Sequence, residues 1–149
     1  MLRVVADTNT LVSAVISKGN EFELLNLAHE GKLEIVLSPQ ILKEFRNVIS
    51  RAKFGFSEEQ IDNAFKQLIN TTTIVVPSIK LDIIKEDTSD NKVLECAEAG
   101  NADYIVSGDR HLLKLKEYKN IRIVRTSEVL KIINNTKTQS IFFHNCSLL

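Results

Sequence analysis

Residues 2–17, LRVVADTNTLVSAVIS, contain the change of pattern that decides the fold. The first five residues are mostly apolar and rich in valine, as in a short buried strand, and this run stops at Asp7. From Thr8 onward, apolar residues recur at helical spacing, at positions 11, 12, 15 and 16. The stretch therefore predicts a strand, a polar turn at Asp7 and then a helix.

Alternating strand and helix patterns continue along the rest of the chain. Strands are predicted at residues 2–6, 33–38, 71–76, 102–109 and 121–126. Helices are predicted at residues 8–17, 20–30, 39–54, 56–70, 88–100 and 127–135. Five strands that alternate with helices indicate a three-layer α/β/α fold with a central, mainly parallel five-stranded sheet.

Capping residues mark several of the predicted helix ends. Ser38 precedes Pro39, which favours the first position of a helix. Ser57 has Gln60 three residues later, the spacing of a capping box. The N-terminal caps are assigned to Asn20, Ser38, Ser57 and Ser89, and glycine closes two helices, at Gly31 and Gly100.

Length and composition predict a single cytoplasmic domain. A chain of 149 residues with 44% hydrophobic content is long enough for one core and too short for two. No apolar run approaches the roughly 20 residues of a membrane span. Cys96 and Cys146 have neither metal-binding nor redox spacing. We expect one domain over residues 1–135 and an irregular C-terminal extension over residues 136–149.

Four acidic residues fall where a binding crevice is expected, because ligands bind such sheets beyond the carboxyl ends of the strands. Asp7 ends the first strand, and Asp109 follows the fourth. Asp90 lies in the first turn of the helix that Ser89 is predicted to cap. Glu44 is on the second turn of a helix that begins at the same edge. Four carboxylates from four segments are therefore predicted to share one crevice.

Each of these residues also has a purely structural explanation. Asp7 could cap the helix that follows it, and Asp90 could complement a helix dipole. Glu44 could be a solvent-exposed helix residue, and Asp109 an ordinary turn residue. Four independent structural roles, however, need not all fall on the same edge of one sheet. We therefore favour a shared site.

A cluster of carboxylates persists only where protons or cations neutralise it. Mg²⁺ and Mn²⁺ suit such a cluster because they prefer carboxylate and water oxygens. When bound, these ions can activate water for attack on a phosphodiester and stabilise the leaving oxygen, and the pattern is compatible with one ion or two. Asn9 and Ser107 are candidate supporting groups for water or phosphate, although both could equally be caps or turn formers.

Contact with RNA would have to depend on a local basic patch, since Lys plus Arg and Asp plus Glu both total 19. The candidates lie on one helix and its exit and after the Asp109 turn. They are Lys43, Arg46, Arg51, Lys53, Arg110, Lys114 and Lys116. A solvated charged face explains these residues equally well.

Several stretches together resemble the PIN domain family and are most similar to the PIN-type toxins of prokaryotic toxin–antitoxin modules. They are VVADTNTLVSAV, LSPQILKEFRNVI, TSDNKVLECAEAGNADYIVSGDRHLL and IRIVRTSEVL, and the likeness covers residues 2–133. One departure is EDTSDNK, where similar proteins often have Asp-Pro-Asp-Asp-(Asp/Asn)-Lys. Asp90 stays in register, but the role of Asp87 is left open.

This resemblance implies an Mg²⁺- or Mn²⁺-dependent endoribonuclease with an RNA substrate. Its metal-binding carboxylates would be Asp7, Glu44, Asp90 and Asp109, supported by Asn9 and Ser107. It also implies a small antitoxin protein as inhibitor, and homodimers are common among similar proteins.

The main alternative is a non-catalytic PIN scaffold that binds RNA or a protein partner without cutting. The presence of all four acids argues against a scaffold, which needs none of them. His111, beside Asp109, could act as an acid–base group, but a surface histidine that packs on the turn is the favoured interpretation.

Overall fold

The structure is a computed structural model that describes residues 1–84 and 90–135. Its strands are β1 (Arg3–Ala6), β2 (Glu34–Leu37), β3 (Thr73–Ile74), β4 (Tyr104–Val106), β5 (Glu117–Tyr118) and β6 (Ile121–Val124). Its helices are α1 (Thr8–Ile16), α2 (Asn20–His29), α3 (Pro39–Ile49), α4 (Glu58–Thr71), α5 (Asn91–Ala99), α6 (Arg110–Leu115) and α7 (126–135). The predictions for Asp87, Ser89 and the extension 136–149 lie outside the described residues.

The strands form one mainly parallel sheet in the order β3-β2-β1-β4-β6-β5. Only β5 is antiparallel to its neighbour, β6. The expected five-stranded sheet is therefore wrong by one strand. The two residues between β5 and β6, Lys119 and Asn120, both have positive φ, 47° and 66°. This is the backbone of a tight hairpin turn. Such turns usually carry glycine, and this one has none, so β5 could not be recognised from the sequence.

Helices cover both faces of the sheet and make three layers, as predicted. Val4, Val5 and Ala6 of β1 are all 0% exposed. Successive residues of a strand point to opposite faces, so both faces of this strand must be covered. Within the described part of the chain, no helix is both long enough and apolar enough to cross a membrane.

Two of the predicted helix caps are present in the structure. The hydroxyl of Ser38 accepts a hydrogen bond from the Ile41 backbone N–H at 3.3 Å. Ser57 and Gln60 form the reciprocal capping box. Asn20 was wrongly assigned as a cap, because it is the first residue of α2 and Gly19 precedes it in the N-cap position.

Several predicted boundaries shift in the structure. Helix α3 ends at Ile49 instead of residue 54, and a short 3₁₀ turn, Ala52–Phe54, follows it. At the end of α3, the Ser50 hydroxyl donates to the Arg46 carbonyl at 2.6 Å, a local bond that competes with helix continuation. Strand β3 is only two residues long, because α4 extends through Thr71.

The sheet also has a point where the chain changes direction. From β1 the chain builds β2 and β3 on one side, and it then crosses to place β4 on the other side of β1. The carboxyl ends of β1 and β4 therefore flank the position where ligands bind in folds of this kind. The backbone N–H of Asp7 donates to the Val106 carbonyl at 3.2 Å, which joins the two strands at this end.

Candidate metal centre

Asp7 lies at the carboxyl end of β1 and is 5% exposed. One carboxylate oxygen, Oδ1, accepts a hydrogen bond from the Thr10 backbone N–H at 2.9 Å, so Asp7 caps α1. The other oxygen, Oδ2, accepts a hydrogen bond from the Ser107 hydroxyl. The capping role and the site role of Asp7 are therefore compatible, since each uses a different part of the same side chain.

Burial raises the pKa of Asp7 above its ordinary value. Hydrogen bonds from Ser107 and Thr10 act in the opposite direction, and the negative charge of Asp109 adds to the rise. The net shift is upward, so the environment of Asp7 disfavours its negative charge. A bound cation would reverse that balance.

Asp109 caps α6, a helix that the sequence did not predict. Its Oδ1 accepts hydrogen bonds from the backbone N–H groups of His111 and Leu112, at 2.8 and 3.2 Å. The Asp109 backbone N–H in turn donates to the Ser107 hydroxyl at 2.9 Å. Ser107 is 1% exposed and connects the two acidic residues. It therefore contacts the carboxylate of Asp7 and the backbone of Asp109, a more specific role than the support of water or phosphate considered from the sequence.

The structure brings all four predicted acids into one small cavity of about 70 Å³. The residues that line it are Asp7, Thr8, Asn9, Glu44, Asp90, Lys92, Val93 and Asp109. Asp90 occupies the N-cap position of α5, so it is placed by the end of that helix. Carboxylates from four separate segments thus meet beyond the carboxyl ends of β1 and β4.

His111 lies closer to the acids than the sequence suggested. Its Nδ1 is 3.9 Å from the Oδ1 of Asp109, and its half-buried side chain lies against the Asp109 turn. One ligand atom each from Asp90, Asp109 and His111 lies within 4.8 Å of the other two. Carboxylate oxygens with one imidazole nitrogen form a donor set that fits a divalent cation.

Lys92 is the site residue that sequence reasoning missed. It lines the cavity, and its Nζ forms an ion pair with the Oε2 of Glu44. Burial lowers the pKa of Lys92, and the negative charge of Glu95 offsets part of this effect. The sequence held a weak signal, because a lysine in the first turn of a helix opposes the helix dipole.

A second, larger cavity of about 510 Å³ adjoins the first. Asn9 and Asp109 line both cavities. The remaining residues of the larger cavity are Thr10, Ser13, Glu21, Gly108 and Arg110. Its wall is polar and includes one guanidinium group, which suits a phosphate-bearing strand.

The predicted RNA-contact residues separate into different groups. Arg110 is the candidate that lines one of these two cavities. Arg46 pairs with Asp62 at 2.5 Å and lies over the Phe65 ring at 5.2 Å, so it is already engaged. Lys53 lies over the ring of Phe54. The other candidates, Lys43, Arg51, Lys114 and Lys116, are exposed and line neither cavity.

Comparison with known proteins gives one family and several structural neighbours. The family model described as the PIN domain matches residues 3–111. The chain is similar to the crystal structure of VapBC2 from Rickettsia felis bound to a DNA fragment from their promoter, with a TM-score of 0.59 and 21% identity, covering 82% of this chain and 97% of that one. It is also similar to the crystal structure of PAE2754 from Pyrobaculum aerophilum, with a TM-score of 0.59 and 15% identity, covering 90% of each chain.

No curated protein matches the chain in sequence. At these identities, the similarity to the two solved structures shows a shared fold.

Proposed function

Since the chain belongs to the PIN domain family, we propose that it is a metal-dependent endoribonuclease and the toxin of a toxin–antitoxin module. One observation carries this proposal: Asp7, Glu44, Asp90 and Asp109 come from four segments and line one cavity. A scaffold that only bound RNA or a protein would gain nothing from such a concentration of negative charge, which burial and mutual repulsion make costly.

The four acids are proposed to attract and hold Mg²⁺ or Mn²⁺. A divalent cation held there would polarise a phosphoryl oxygen and activate water for attack on phosphorus. The chain contributes a prepared set of side chains. Ser107 and the N–H groups of α1 and α6 fix the orientations of Asp7 and Asp109 before any ligand arrives. Such preorganisation avoids a rearrangement during the reaction.

The larger cavity is proposed to receive the RNA next to the scissile bond. It shares Asn9 and Asp109 with the acidic cavity, so a strand that lies in it reaches the acids directly. Arg110 can donate hydrogen bonds to a phosphate, and Asn9 and Ser13 can bond to phosphate or ribose. We propose Arg110 as the principal RNA contact among the basic candidates.

A small antitoxin protein is the proposed partner. The acidic cavity offers a natural point of inhibition, because a basic side chain inserted there would pair with the carboxylates that the reaction needs. Suppression of toxicity by a co-expressed short neighbouring reading frame would support this partner. Harmless expression of the active enzyme alone would argue against the toxin role.

The deciding experiment compares cleavage of an RNA panel in Mn²⁺ by the wild type, by Asp7→Asn and by Asp103→Asn. Asp103 is an exposed acid at the opposite end of β4, where its Oδ2 accepts from the Arg3 backbone N–H at 2.8 Å. We expect Asp103→Asn to cleave like the wild type and Asp7→Asn to lose roughly 10²-fold or more. The products should carry 5′-phosphate and 3′-hydroxyl ends.

Each other outcome has a definite meaning. Equal cleavage by all three proteins would indicate a contaminating nuclease. No cleavage by any of them would favour the non-catalytic scaffold. Cyclic or 3′-phosphate ends would show attack by the ribose hydroxyl, and they would contradict the metal-dependent mechanism.

A further inference from the structure

Lys92 lines the acidic cavity, and the proposed function assigns it no role. Its ammonium group pairs with Glu44, and both residues line the cavity that also contains Asp7, Asp90 and Asp109. The side chains of Lys92 and Glu44 are 25% and 32% exposed, so solvent screens this pair less than an ion pair on the open surface. A fixed monovalent cation among carboxylates neutralises part of the charge that a divalent metal ion would otherwise neutralise.

The backbone of Lys92 is held on both sides. Asn91 is 4% exposed, and its side-chain amide bonds to the backbone of Ile83 and Ile84 through three hydrogen bonds of 2.9–3.0 Å. Val93, on the other side, is 3% exposed and lines the same cavity. The backbone of Lys92 is therefore fixed beside the acids unless the start of α5 moves. Its ammonium group is held in the cavity by the ion pair with Glu44.

We propose that Lys92 is a built-in cation that neutralises Glu44 and limits the cavity to one divalent ion, held among Asp7, Asp90, Asp109 and His111. This inference rests on the proposed function and makes it more specific, because family membership leaves the number of ions open. Glu44 then acts as the partner that keeps Lys92 in place, and it is not a direct metal ligand.

The size of the cavity supports a single ion. A volume of about 70 Å³ has room for only a few water-sized groups. Mg²⁺ usually keeps several of its waters when it binds to protein carboxylates. An ion that keeps several waters therefore uses much of this space. A second hydrated ion would need the space and the carboxylate that Lys92 now takes.

The test counts Mn²⁺ ions by calorimetric titration, with electron paramagnetic resonance to measure free Mn²⁺. The variants are wild type, Lys92→Met, Lys92→Arg, the double variant Glu44→Gln/Lys92→Met, and Lys43→Met. Lys43 is a matched control, because it is an exposed lysine next to Glu44 that does not line the cavity. Thermal unfolding in chelator establishes that each variant is folded.

We expect one Mn²⁺ per chain for the wild type, Lys92→Arg and Lys43→Met. Lys92→Met should bind two, because it frees Glu44 and removes a positive charge. The double variant removes the ion pair as a unit, so it should again bind one ion, with an affinity close to that of the wild type. Replacing both members of such a pair is usually tolerated by the fold, so this arm remains informative if Lys92→Met is unstable.

Three results would overturn the inference while leaving the proposed function intact. These are two ions in the wild type, one ion in a folded Lys92→Met, or a tenfold or greater loss of affinity in the double variant. The last result would show that Glu44 itself contributes to holding the ion, since the loss of a group that supports a metal costs on the order of 10–100-fold. No Mn²⁺ binding by the wild type would instead defeat the metal-dependent function itself, and the inference with it.

Discussion

Replacing Ser107 with alanine should destabilise the protein by more than the loss of a single hydrogen bond, because its hydroxyl makes two. The hydroxyl donates to the Asp7 carboxylate, accepts from the Asp109 backbone N–H at 2.9 Å, and is 1% exposed. A hydrogen bond to a charged group contributes about 1.5–3 kcal/mol, and a buried group left without a partner costs about 1–3 kcal/mol. Because water can recover part of this loss, we expect the free energy of unfolding to fall by roughly 2–4 kcal/mol.

For a domain of this size, each kcal/mol changes the melting temperature by about 2–4 °C, so the midpoint should fall by on the order of 10 °C. Calorimetric melts in chelator measure this shift. The control is Ser17→Ala, which removes an exposed hydroxyl that donates to the Ser13 carbonyl at 3.0 Å and should change stability by about 0.5 kcal/mol or less.

A double-mutant cycle then tests whether the effect depends on Asp7. In an Asp7→Asn background, Ser107→Ala should cost less, with a coupling energy of about 0.5–3 kcal/mol, because the two residues share a hydrogen bond. Strict additivity, or a loss no larger than that of Ser17→Ala, would refute the role given to Ser107.

Three further results are expected from the same structure. Burial raises the pKa of Asp7, so the contribution of Asp7 to stability is present at acidic pH and is lost as pH rises through the raised pKa. Metal-free Asp7→Asn should therefore melt no lower than the wild type at neutral pH, with a smaller difference near pH 4 and a weaker response to Mn²⁺. Thermal melts across this pH range would contradict the reasoning if the variant were the less stable protein at neutral pH. Gly100→Ala places a methyl group 2.6 Å from the Cγ1 of Val36 and should cost about 1–3 kcal/mol in denaturant unfolding, a loss that Val36→Ala should partly relieve. Burial raises the pKa of Cys96 to about 12, so in a Cys146→Ser variant the native protein should resist a thiol reagent at pH 8 and react fully only when unfolded.

The sheet and the four acids could be predicted because they depend on short-range patterns and one general rule. Short apolar runs identify β1 and β2, and the residues that follow parallel strands share one edge of a sheet. That rule was enough to place Asp7 and Asp109 together without any knowledge of packing. Their roles as metal ligands stay predictions, because geometry alone does not assign a ligand.

The features that escaped prediction depend on contacts between distant residues. Lys92 and Glu44 are 48 positions apart, and the sequence around neither residue predicts that they form an ion pair. Gly100 ends α5 as predicted, but its φ is −90°, which any residue can adopt, so no left-handed conformation requires glycine there. What requires glycine there is the side chain of Val36 on a neighbouring strand, which leaves no room for a methyl group. Such steric requirements appear only once the strands and helices are assembled.

The pairing of β1 with β4 has a consequence for the synthesis of the protein. Ser107 and Asp7 are bonded across 100 positions of sequence, so the acidic cavity does not exist until most of the chain has been made. Because synthesis proceeds at about 5–20 residues per second, β4 is made several seconds or more after β1. Contacts over such a separation also form slowly in folding. A ribosome that stops before β4 therefore releases a fragment in which β1 has β2 as a partner, one edge of β1 is left unpaired, and the acidic cavity lacks Ser107 and Asp109.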